Sequence, residues 1–308
     1  MEKLHIITHP GVAHRDEFVA CSLIIAARAG GREVLLERRE PTREELNSAD
    51  VYVIDVGSDY SPQVVNFDHH QFGRNDKPCC AISLVMRHLS MEDAAIDHSP
   101  WFKFSEILDS KGPKAAAEYL GIDMDRLHET LSPIETQLLI EFGKHEVVSG
   151  WLIEAMNCVG KGIIEYLRSI ITRTRLLSDN ATVVSVDGVK GVDARFISRN
   201  ESPSLGLTQW CEKRHPDAKF TITNDDRGNG FCLFRLDEDT LDFSLVENHP
   251  DVKFAHKGGF VAKTVNVHDI DLFGIIRKSI VPVEVPSPTE HTESESVLTR
   301  MKRVVFGS

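Results

Sequence analysis

The chain lacks a basic surplus, a long apolar run and a paired-cysteine motif. Its 308 residues carry 35 lysines and arginines against 47 aspartates and glutamates, which gives a formal net charge of −12. Proteins that grip a long nucleic acid by its phosphates usually present a basic surface. The charge therefore argues against tight binding of a long duplex, although not against a short or single-stranded substrate held at a metal centre.

Other absences bear on the compartment. No apolar run approaches the roughly 20 residues that a bilayer span needs, and residues 1–10 show neither a basic n-region nor a small-residue cleavage site. We therefore expect a cytoplasmic protein with no membrane partner. The six cysteines include no Cys-x-x-Cys pair and are interpreted as reduced, mostly buried thiols. Cys79 and Cys80 are interpreted as small residues packed at a helix start, with a vicinal pair or soft metal ligands as the alternative.

Apolar runs alternate with helical stretches at the start of the chain. Residues 4–8, 33–36 and 51–56 are predicted strands, with a buried helix over 18–29 and a short polar helix over 41–46. This β-α-β-α-β order predicts an α/β fold with a doubly wound, mainly parallel sheet. Ligands of such sheets bind beyond the carboxyl ends of the strands, which is where His9 and Asp55 fall.

The order of segments predicts two domains and a tail. We expect a metal-binding catalytic domain over 1–145, a helical connector over 146–178, a second, smaller α/β domain that binds substrate over 179–283, and a flexible tail over 284–308. The tail is rich in Pro, Ser, Thr and Glu. Residues 297–306, near its end, are expected to form one docking turn or strand.

Local signals refine the connector and the second domain. Ser132-Pro133-Ile134-Glu135 has the form of a capping box with Pro at the first helical position. Glycines at 143, 150, 160 and 162 predict two or three helices up to about residue 177. Strands are predicted over 181–186 and 193–197. A hairpin is predicted over 220–223 and 231–236, around the dense turn signal of residues 225–230.

Potential metal ligands are concentrated near the N-terminus. Imidazole and carboxylate together suit Mn²⁺, Fe²⁺ or Zn²⁺ rather than Ca²⁺. A single histidine is usually structural, but two adjacent histidines after an aspartate, preceded by a further His/His/Asp group, are not easily explained by packing. Seven such residues lie in predicted loops or at strand ends: His9, His14, Asp16, Asp55, Asp68, His69 and His70.

The donor set predicts a dinuclear phosphoesterase. Asp55, at the end of the central predicted strand, can bridge two metals with its two carboxylate oxygens. Three carboxylates against two divalent ions leave a charge of about +1, which favours an anionic phosphoryl group. Two metals about 3.5–4 Å apart can activate a bridging hydroxide and stabilise the in-line transition state.

These motifs resemble those of a known superfamily. The resemblance is carried by THPGVAHRDE at residues 8–17, DVG at 55–57, DHHQ at 68–71 and CAISLV at 80–85. They are similar to the DHH phosphoesterase superfamily and, within it, to the Myg-type (melanocyte-proliferating-gene) exonuclease family. That branch opens with Thr-His-x-Gly-x-x-His-x-Asp-Glu, so that His14 stands where other DHH proteins have an aspartate. The resemblance covers most of residues 5–110 closely and the C-terminal domain loosely, and it implies a DHH-type sheet followed by a DHH-associated substrate domain.

The resemblance also implies the metal ligands. One metal would be held by His9, His14 and Asp55. The second would be held by Asp16, Asp55, His69 and a later aspartate, for which Asp109 in ILDSKG at residues 107–112 is the best match. A helix-terminal aspartate without a metal is the alternative for Asp109, and the segment before it is shorter than the family pattern.

Further roles follow from the same positions. His70 would face the scissile phosphate as a donor or general acid, and Asp68 would hold a histidine in the correct tautomer. Together with the bridging Asp55, these two complete the expected catalytic group. Arg15 is left open between a phosphate contact and a solvated arginine at a helix start. Glu17 is expected to be a first-turn helix residue favoured by the helix dipole rather than a ligand.

A Gly-Gly motif suggests where substrate binds. AHKGGFVAK at residues 255–263 looks like the Gly-Gly-rich motif of DHH-associated domains, and residues 241–246 resemble the helix that precedes it. Gly258 and Gly259 would let backbone N–H groups approach a phosphate or sugar. His256, Lys263 and Arg195, the last on a predicted strand, would add charged contacts. A Gly-Gly turn with solvated lysines is the alternative.

The leading hypothesis is a Mn²⁺-dependent phosphodiesterase with two divalent ions, acting on single-stranded RNA or short oligonucleotides from the 3′ end. RNA and polarity rest on the resemblance alone. A phosphohydrolase of a dinucleotide, nucleotide or pyrophosphate is a second hypothesis, which the acidic chain favours. A non-catalytic metal-binding or partner-binding protein is the third, and the chain allows a homodimer.

Overall fold

The computed structural model of the protein describes residues 3–73, 75–130 and 132–282. Within these ranges it is an α/β structure with two mixed six-stranded sheets and helices between and around them. The predicted tail over 284–308 lies outside the described residues. None of the described helices has the length and apolar content required to cross a bilayer.

The first sheet has a parallel centre and antiparallel edges. Its strand order is β4-β5-β3-β1-β2-β6, in which β1 pairs in parallel with β2 and β3, and β3 pairs in parallel with β5. The edge strands β4 and β6 run antiparallel, so the sheet is mixed, and its DHH type stays a prediction. The strands are β1 (Leu4–Thr8), β2 (Val34–Arg38), β3 (Val51–Ile54), β4 (Tyr60–Ser61), β5 (Asn66–Phe67) and β6 (Val147–Val148).

Helices cover this sheet and form the largest core. The buried helix predicted over 18–29 is present but begins earlier, at Arg15, so that Asp16 and Glu17 belong to its first turn. The 21-residue helix α5 (Pro100–Leu120) is broken at Gly112, which has a φ of 83° and is followed by Pro113. The helices are α1 (Arg15–Arg28), α2 (Arg43–Leu46), α3 (Ala81–His88), α4 (Glu92–His98), α5 (Pro100–Leu120), α6 (Pro133–Gly143) and α7 (Trp151–Asn180).

The two or three helices predicted up to about residue 177 are confirmed as two, α6 and α7, which are separated between Gly143 and Gly150. Gly160 and Gly162, however, lie within the continuous helix α7 and do not interrupt it. A methyl group at Gly160 would lie 2.0 Å from the backbone oxygen of Ser22, so this glycine permits close packing of α7 on α1. The capping box at Ser132 was also wrong, because its side chain caps no described N–H group, although Pro133 does begin α6. Cys80 directly precedes α3, and the two cysteines are free and buried, as interpreted.

The second sheet is mainly antiparallel. Its order is β11-β12-β10-β9-β8-β7, and only β8 and β9 run in parallel. The predicted hairpin is confirmed as β9 and β10. The hydrophobic core packed on the second sheet includes Phe220, Leu233 and Phe243. The strands and helices are β7 (Thr182–Val186), β8 (Val189–Asp193), α8 (Leu207–Arg214), β9 (Phe220–Asn224), β10 (Phe231–Arg235), β11 (Val252–Ala255), β12 (Val261–Thr264) and α9 (Leu272–Lys278).

Two predictions in this region were wrong. The strand expected over 193–197 is displaced, because Asp187 and Gly188, both with positive φ, make a tight turn and the next strand starts at Val189. Arg195 therefore lies in a turn beyond β8 and not on a strand. The helix expected over 241–246 is only the 3-10 turn Phe243–Val246. The domain boundaries stay a prediction, and β6, inside the predicted connector, is an edge strand of the first sheet.

Candidate metal centre

The parallel strands β1 and β3 bring His9 and Asp55 to one edge of the first sheet. Thr8 and Ile54, the last residues of the two strands, are paired in register. His9 directly follows the first strand and Asp55 directly follows the second. Asp55 has a φ of 59°, a left-handed conformation that aspartate tolerates better than most residues. Its N–H donates to the backbone oxygen of Phe67 at 3.1 Å, which fixes the turn that aims its carboxylate.

The N-terminus of α1 supplies two more carboxylates to this edge. Asp16 and Glu17 lie in its first turn and are buried, where the helix dipole favours negative charge. Asp16 is also held from the opposite side by α3. Its two oxygens accept the N–H groups of Ala81 at 2.8 Å and Ile82 at 3.0 Å. The Asp16 carboxylate is therefore oriented by two helix N-termini at once.

A first ligand group consists of His9, His14 and Glu17. His9 Nε2 lies 3.3 Å from Glu17 Oε1, and His14 Nδ1 lies 4.0 Å from Glu17 Oε2. The Nδ1 atom of His9 is 2.7 Å from the backbone oxygen of Pro10. This contact places the ring proton on Nδ1 and leaves Nε2 as the ligand atom, which is how outer partners orient metal-binding histidines.

A second ligand group consists of Asp16, His69 and Asp109. His69 Nε2 lies 2.9 Å from Asp109 Oδ2 and 3.8 Å from Asp16 Oδ2. Asp109 comes from α5, three residues before the break at Gly112, so it approaches the sheet edge from a distant part of the sequence. The structure therefore brings Asp109 together with the ligands predicted from the first 70 residues.

Asp55 lies between the two groups. Its Oδ2 is 3.6 Å from His9 Nε2 in the first group, and its Oδ1 is 3.1 Å from His69 Nε2 in the second. Each oxygen of one carboxylate thus faces a different set of ligands. This arrangement matches what a carboxylate bridging two cations requires.

The buried carboxylates of the two ligand groups and of Asp55 carry more negative charge than their hydrogen bonds stabilise. Buried oxygens of Asp55, Asp109 and Glu17 receive no well-aligned hydrogen bond from the described residues. Burial, followed by the charges of Asp55 and Asp109, raises the pKa of Asp16 to about 8. Burial likewise raises the pKa of Asp55. Crowded carboxylates must bind protons or cations, so this donor set fits divalent metal ions.

The same carboxylates raise the pKa values of two histidines, His9 and His69. Contact with Glu17 raises the pKa of His9 to about 9 despite the opposing effect of burial. Burial lowers the pKa of His69, but the carboxylates of Asp109 and Asp55 outweigh it and raise that pKa to about 10. Without a metal these rings act as counter-ions to the carboxylates, and a metal would displace their protons.

Asp68 and His70 form a pair at the rim of the cluster, beside Asp55 and His69, with His70 Nδ1 3.9 Å from Asp55 Oδ1. Asp68 Oδ1 lies 2.6 Å from His70 Nδ1 and also accepts the His69 and His70 backbone N–H groups, while its Oδ2 accepts the N–H of Ser58. Although burial opposes it, these contacts lower the pKa of Asp68, and Asp68 raises the pKa of His70. The His70 side chain is 58% exposed, so its ring is tethered at Nδ1 and open to solvent.

Sequence reasoning missed Glu17 and Arg38. Glu17 was expected to be a helix residue rather than a ligand, yet its side chain is fully buried against both histidines of the first group. Arg38, paired in register with Thr8, is also buried and lies 3.4 Å from Glu17. The Asp16-Glu17 doublet was a signal for the first. Arg38 had none, because its position depends on strand pairing.

Arg15 matches neither of the two roles left open for it. Its guanidinium pairs with Glu135 of α6, with an Nη2–Oε2 distance of 2.9 Å, and donates to Ser105 of α5 at 3.1 Å. Its side chain is 18% exposed. Arg15 therefore connects three helices, and the candidate ligands on either side of it in the sequence are on a different face of α1.

The residues predicted to bind substrate lie in the turn between β11 and β12, on β12 and in the turn after β8. His256 lies in the turn after β11, where its Nδ1 accepts the N–H of Gly258 at 3.0 Å and its ring packs on Phe260. Gly259 adopts a φ of 72°, and a methyl group there would lie 2.2 Å from Asp242, so glycine is required at this turn. Lys263 forms an ion pair with Asp225, and Arg195 forms one with Asp193.

Comparison with known proteins supports the Myg-type resemblance over the N-terminal segment. Residues 5–88 match MYG1_exonuc, described as an uncharacterised protein family (UPF0160). Over 64 residues the chain is 41% identical to MYG1 exonuclease of Mus musculus, 39% identical to MYG1 exonuclease of Homo sapiens and 39% identical to MYG1 protein of Chlamydia trachomatis. These 64 residues are 21% of this chain, 16% of the two mammalian proteins and 21% of the chlamydial protein. The match to the family includes the candidate ligands from His9 to His70 but not Asp109.

Proposed function

We propose that this protein is a metal-dependent phosphodiesterase of the DHH superfamily that uses two divalent cations, with Mn²⁺ as the leading choice. Its substrate would be RNA or a short oligonucleotide, cleaved from the 3′ end. The observation that carries the proposal is the position of Asp55, whose two oxygens face two separate ligand groups. The choice of a nucleic acid is supported by the exonuclease names of the mammalian relatives, and RNA and polarity come from the Myg-type resemblance.

Two sets of residues would hold the ions. His9, His14 and Asp55 would hold one, with Glu17 as an added ligand. Asp16, Asp55, His69 and Asp109 would hold the other. When bound, the ions would activate a water molecule and stabilise the charge that develops on the phosphoryl group.

The charge of the site suits a phosphate. Glu17 is balanced by the buried Arg38, which lies 3.4 Å away. The three remaining carboxylates, Asp16, Asp55 and Asp109, would leave two divalent ions with a net charge of about +1. An anionic phosphodiester would be attracted to a centre of this charge and stabilised more strongly as negative charge builds up.

His70 would supply a proton. Its contact with Asp68 raises its pKa and fixes the ring through Nδ1. The Nε2–H group would then face the cleft and donate to the leaving oxygen, as a general acid requires. Asp68 would act through His70 by holding its orientation and charge.

The region of the second sheet would bind the rest of the substrate. In this proposal residues 1–145 form the catalytic domain, 146–178 the connector and 179–283 the substrate domain. The turn at Gly258 and Gly259, together with His256, Lys263 and Arg195, would contact the nucleotide chain.

One observation favours a rival substrate. The chain carries a net charge of −12. This charge suits a small phosphorylated molecule, such as a dinucleotide, a nucleotide or pyrophosphate, better than a long polymer. Hydrolysis of such a molecule would use the same ligands and the same general acid.

A substrate panel tests the proposal. The Mn²⁺-loaded protein is incubated with a 3′-labelled and a 5′-labelled oligoribonucleotide, a diribonucleotide, a cyclic dinucleotide and pyrophosphate, with Asp55→Asn as the inactive control. A ladder that shortens from the 3′ end supports the exonuclease. Turnover confined to the dinucleotides or pyrophosphate would replace it with the rival. Metal binding without turnover of any substrate would indicate a binding protein.

A further inference from the structure

A small cavity adjoins the candidate metal centre and is not used by the ligands described above. It has a volume of about 190 Å³. His69 and Asp109 form the wall shared with the metal centre. A second wall is lined by Phe72, Gly73, Lys77 and Cys79 and by Ser110 and Lys111, which follow Asp109.

The charges of the two walls differ in sign. The wall shared with the metal centre carries the carboxylate of Asp109, whereas the other carries two lysines. Lys77 is exposed, and no carboxylate in the described part of the chain forms an ion pair with it. In contrast, Lys263 and Arg195 of the second sheet region are each paired with an aspartate. An ammonium group without such a counter-ion, beside a metal centre, is suited to bind an anion.

The loop that carries Lys77 is held in place. Lys111, on α5, donates from Nζ to the backbone oxygen of Asp76 at 2.8 Å, which connects the two lysine-bearing segments. Within the loop, the N–H of Gly73 donates to Asp76 Oδ2 at 2.6 Å. Lys77 directly follows this anchored residue, so the two lysines are presented on adjacent parts of one wall.

An aromatic ring lies at the rim of the same cavity. Phe72 is 38% exposed, and its ring packs edge-to-face on Tyr60 with the centroids 6.0 Å apart. A supported, exposed aromatic ring is a platform on which a nucleobase of any sequence can stack. A base there and a phosphate between the lysines would be parts of one nucleotide.

We infer that this cavity binds the phosphate adjacent to the one that is cleaved, with Lys77 and Lys111 as its cationic contacts and Phe72 beneath the attached nucleoside. The inference rests on the proposed function and defines its substrate class, a nucleotide chain with a second phosphate one nucleoside away from the scissile one. The volume is below the roughly 300 Å³ of pockets that enclose a whole ligand. The cavity therefore accepts a phosphate and part of its sugar.

A binding experiment that needs no turnover tests the inference. The probe is a diribonucleotide in which a methylene group replaces the bridging oxygen that would leave, prepared with a 5′-phosphate, with a 3′-phosphate or with neither. Affinities for the Mn²⁺-loaded protein are measured by calorimetry. We expect one of the terminal phosphates to tighten binding about tenfold, as a charge-assisted contact to phosphate does. The end that gains affinity shows on which side of the scissile bond the cavity lies.

Two matched variants assign the gain to Lys77. Lys77→Gln removes the charge in the cavity, while Lys114→Gln removes the same charge from an exposed lysine of α5 that does not line it. Lys77→Gln is expected to abolish the tenfold gain and Lys114→Gln to keep it. The inference is overturned if neither terminal phosphate tightens binding, or if both variants reduce the gain equally. A gain that depends on Lys77 in a protein that hydrolyses no phosphodiester would retain the subsite and reject the proposed reaction instead.

Discussion

The two sheet regions differ in whether their charged side chains are paired with a charge of opposite sign. At the edge of the first sheet, Asp16, Asp55 and Asp109 crowd together around a single imidazole, and two buried oxygens among them have no well-aligned hydrogen bond. In the second sheet region, Lys263 and Arg195 are each neutralised by a neighbouring aspartate. Burying uncompensated like charges is costly, so the first arrangement is stable only if something external binds there. The second arrangement needs nothing external.

The largest effect should come from the residue between the two ligand groups. Asp55→Asn keeps the shape of the side chain but removes the charge that both groups share. We expect a loss in kcat/KM of roughly a thousandfold or more, because both cations would be weakened together. The measurement is steady-state turnover of the substrate identified by the panel. Asp217→Asn, which changes a 57% exposed aspartate of the second region that pairs with Lys190, is the control. Comparable losses of kcat/KM in the two variants would contradict the contrast between the regions.

Glu17, the candidate ligand that sequence reasoning excluded, should have the next largest effect. Glu17→Gln keeps a side-chain oxygen that can accept the N–H of His14, which the native side chain does at 2.9 Å. It removes the charge that faces His9, His14 and Arg38. We expect Mn²⁺ affinity to fall about 10- to 100-fold, measured by equilibrium dialysis. An unchanged affinity would make Glu17 a structural partner of Arg38 and not a ligand.

The stability of the metal-free protein should depend on pH in a defined direction. The folded-state pKa values of Asp16, about 8, and His9, about 9, lie above their ordinary values of 3.8 and 6.5. Protonation of such groups stabilises the fold, so their contribution is full below the ordinary pKa and is lost as the pH rises through the folded one. After chelation, the melting temperature should fall between about pH 6.5 and pH 9.

Metal should oppose that trend. Cations replace the bound protons, so the stabilisation by saturating Mn²⁺ should grow across the same pH range and should be accompanied by proton release. Melting curves with and without Mn²⁺ at a series of pH values, in wild type and Asp55→Asn, make this comparison. A chelated protein whose melting temperature rises over that range would show that the carboxylates are not crowded as described.

The smallest effect should come from the second region. Lys263 is already paired with Asp225, so Lys263→Gln should raise KM only about threefold and leave kcat unchanged, as expected for a partly screened contact. The double variant with Asp225→Asn distinguishes the two causes. If Lys263 only balances Asp225, the double variant restores KM. If Lys263 contacts substrate, KM stays raised.

The sequence was informative where local pattern decides structure. The first strand and the hairpin of β9 and β10 follow from apolar runs bounded by turn residues, and they were predicted within one residue. The candidate ligands His9, Asp55 and His69 were found because parallel strands end at a common edge and because an Asp-His-His triplet is hard to explain by packing. Even Asp109, distant in sequence, was identified from the resemblance of its surroundings.

The sequence was misleading where tertiary contacts decide. Gly160 suggested a helix break, but its lack of a side chain serves the contact between α7 and α1. Arg195 was predicted to lie on a strand because the strand after the turn at Gly188 was expected to begin at residue 193. That strand begins at Val189 instead. Glu17 was assigned to the helix dipole, since nothing local indicates that Arg38 and two histidines would surround it. The errors at Gly160 and Glu17 concern residues whose partners come from another element, whereas the error at Arg195 comes from the local turn at Asp187 and Gly188.

The most direct test of the central claim is to count the cations. Equilibrium dialysis against Mn²⁺, followed by elemental analysis, should give two ions per chain for the wild type. His9→Ala and His69→Ala, which affect different ligand groups, should each retain one ion, and Asp55→Asn should weaken both. A wild-type protein that binds a single ion or none, or one in which either histidine variant keeps both ions, would contradict the assignment of two metal sites bridged by Asp55.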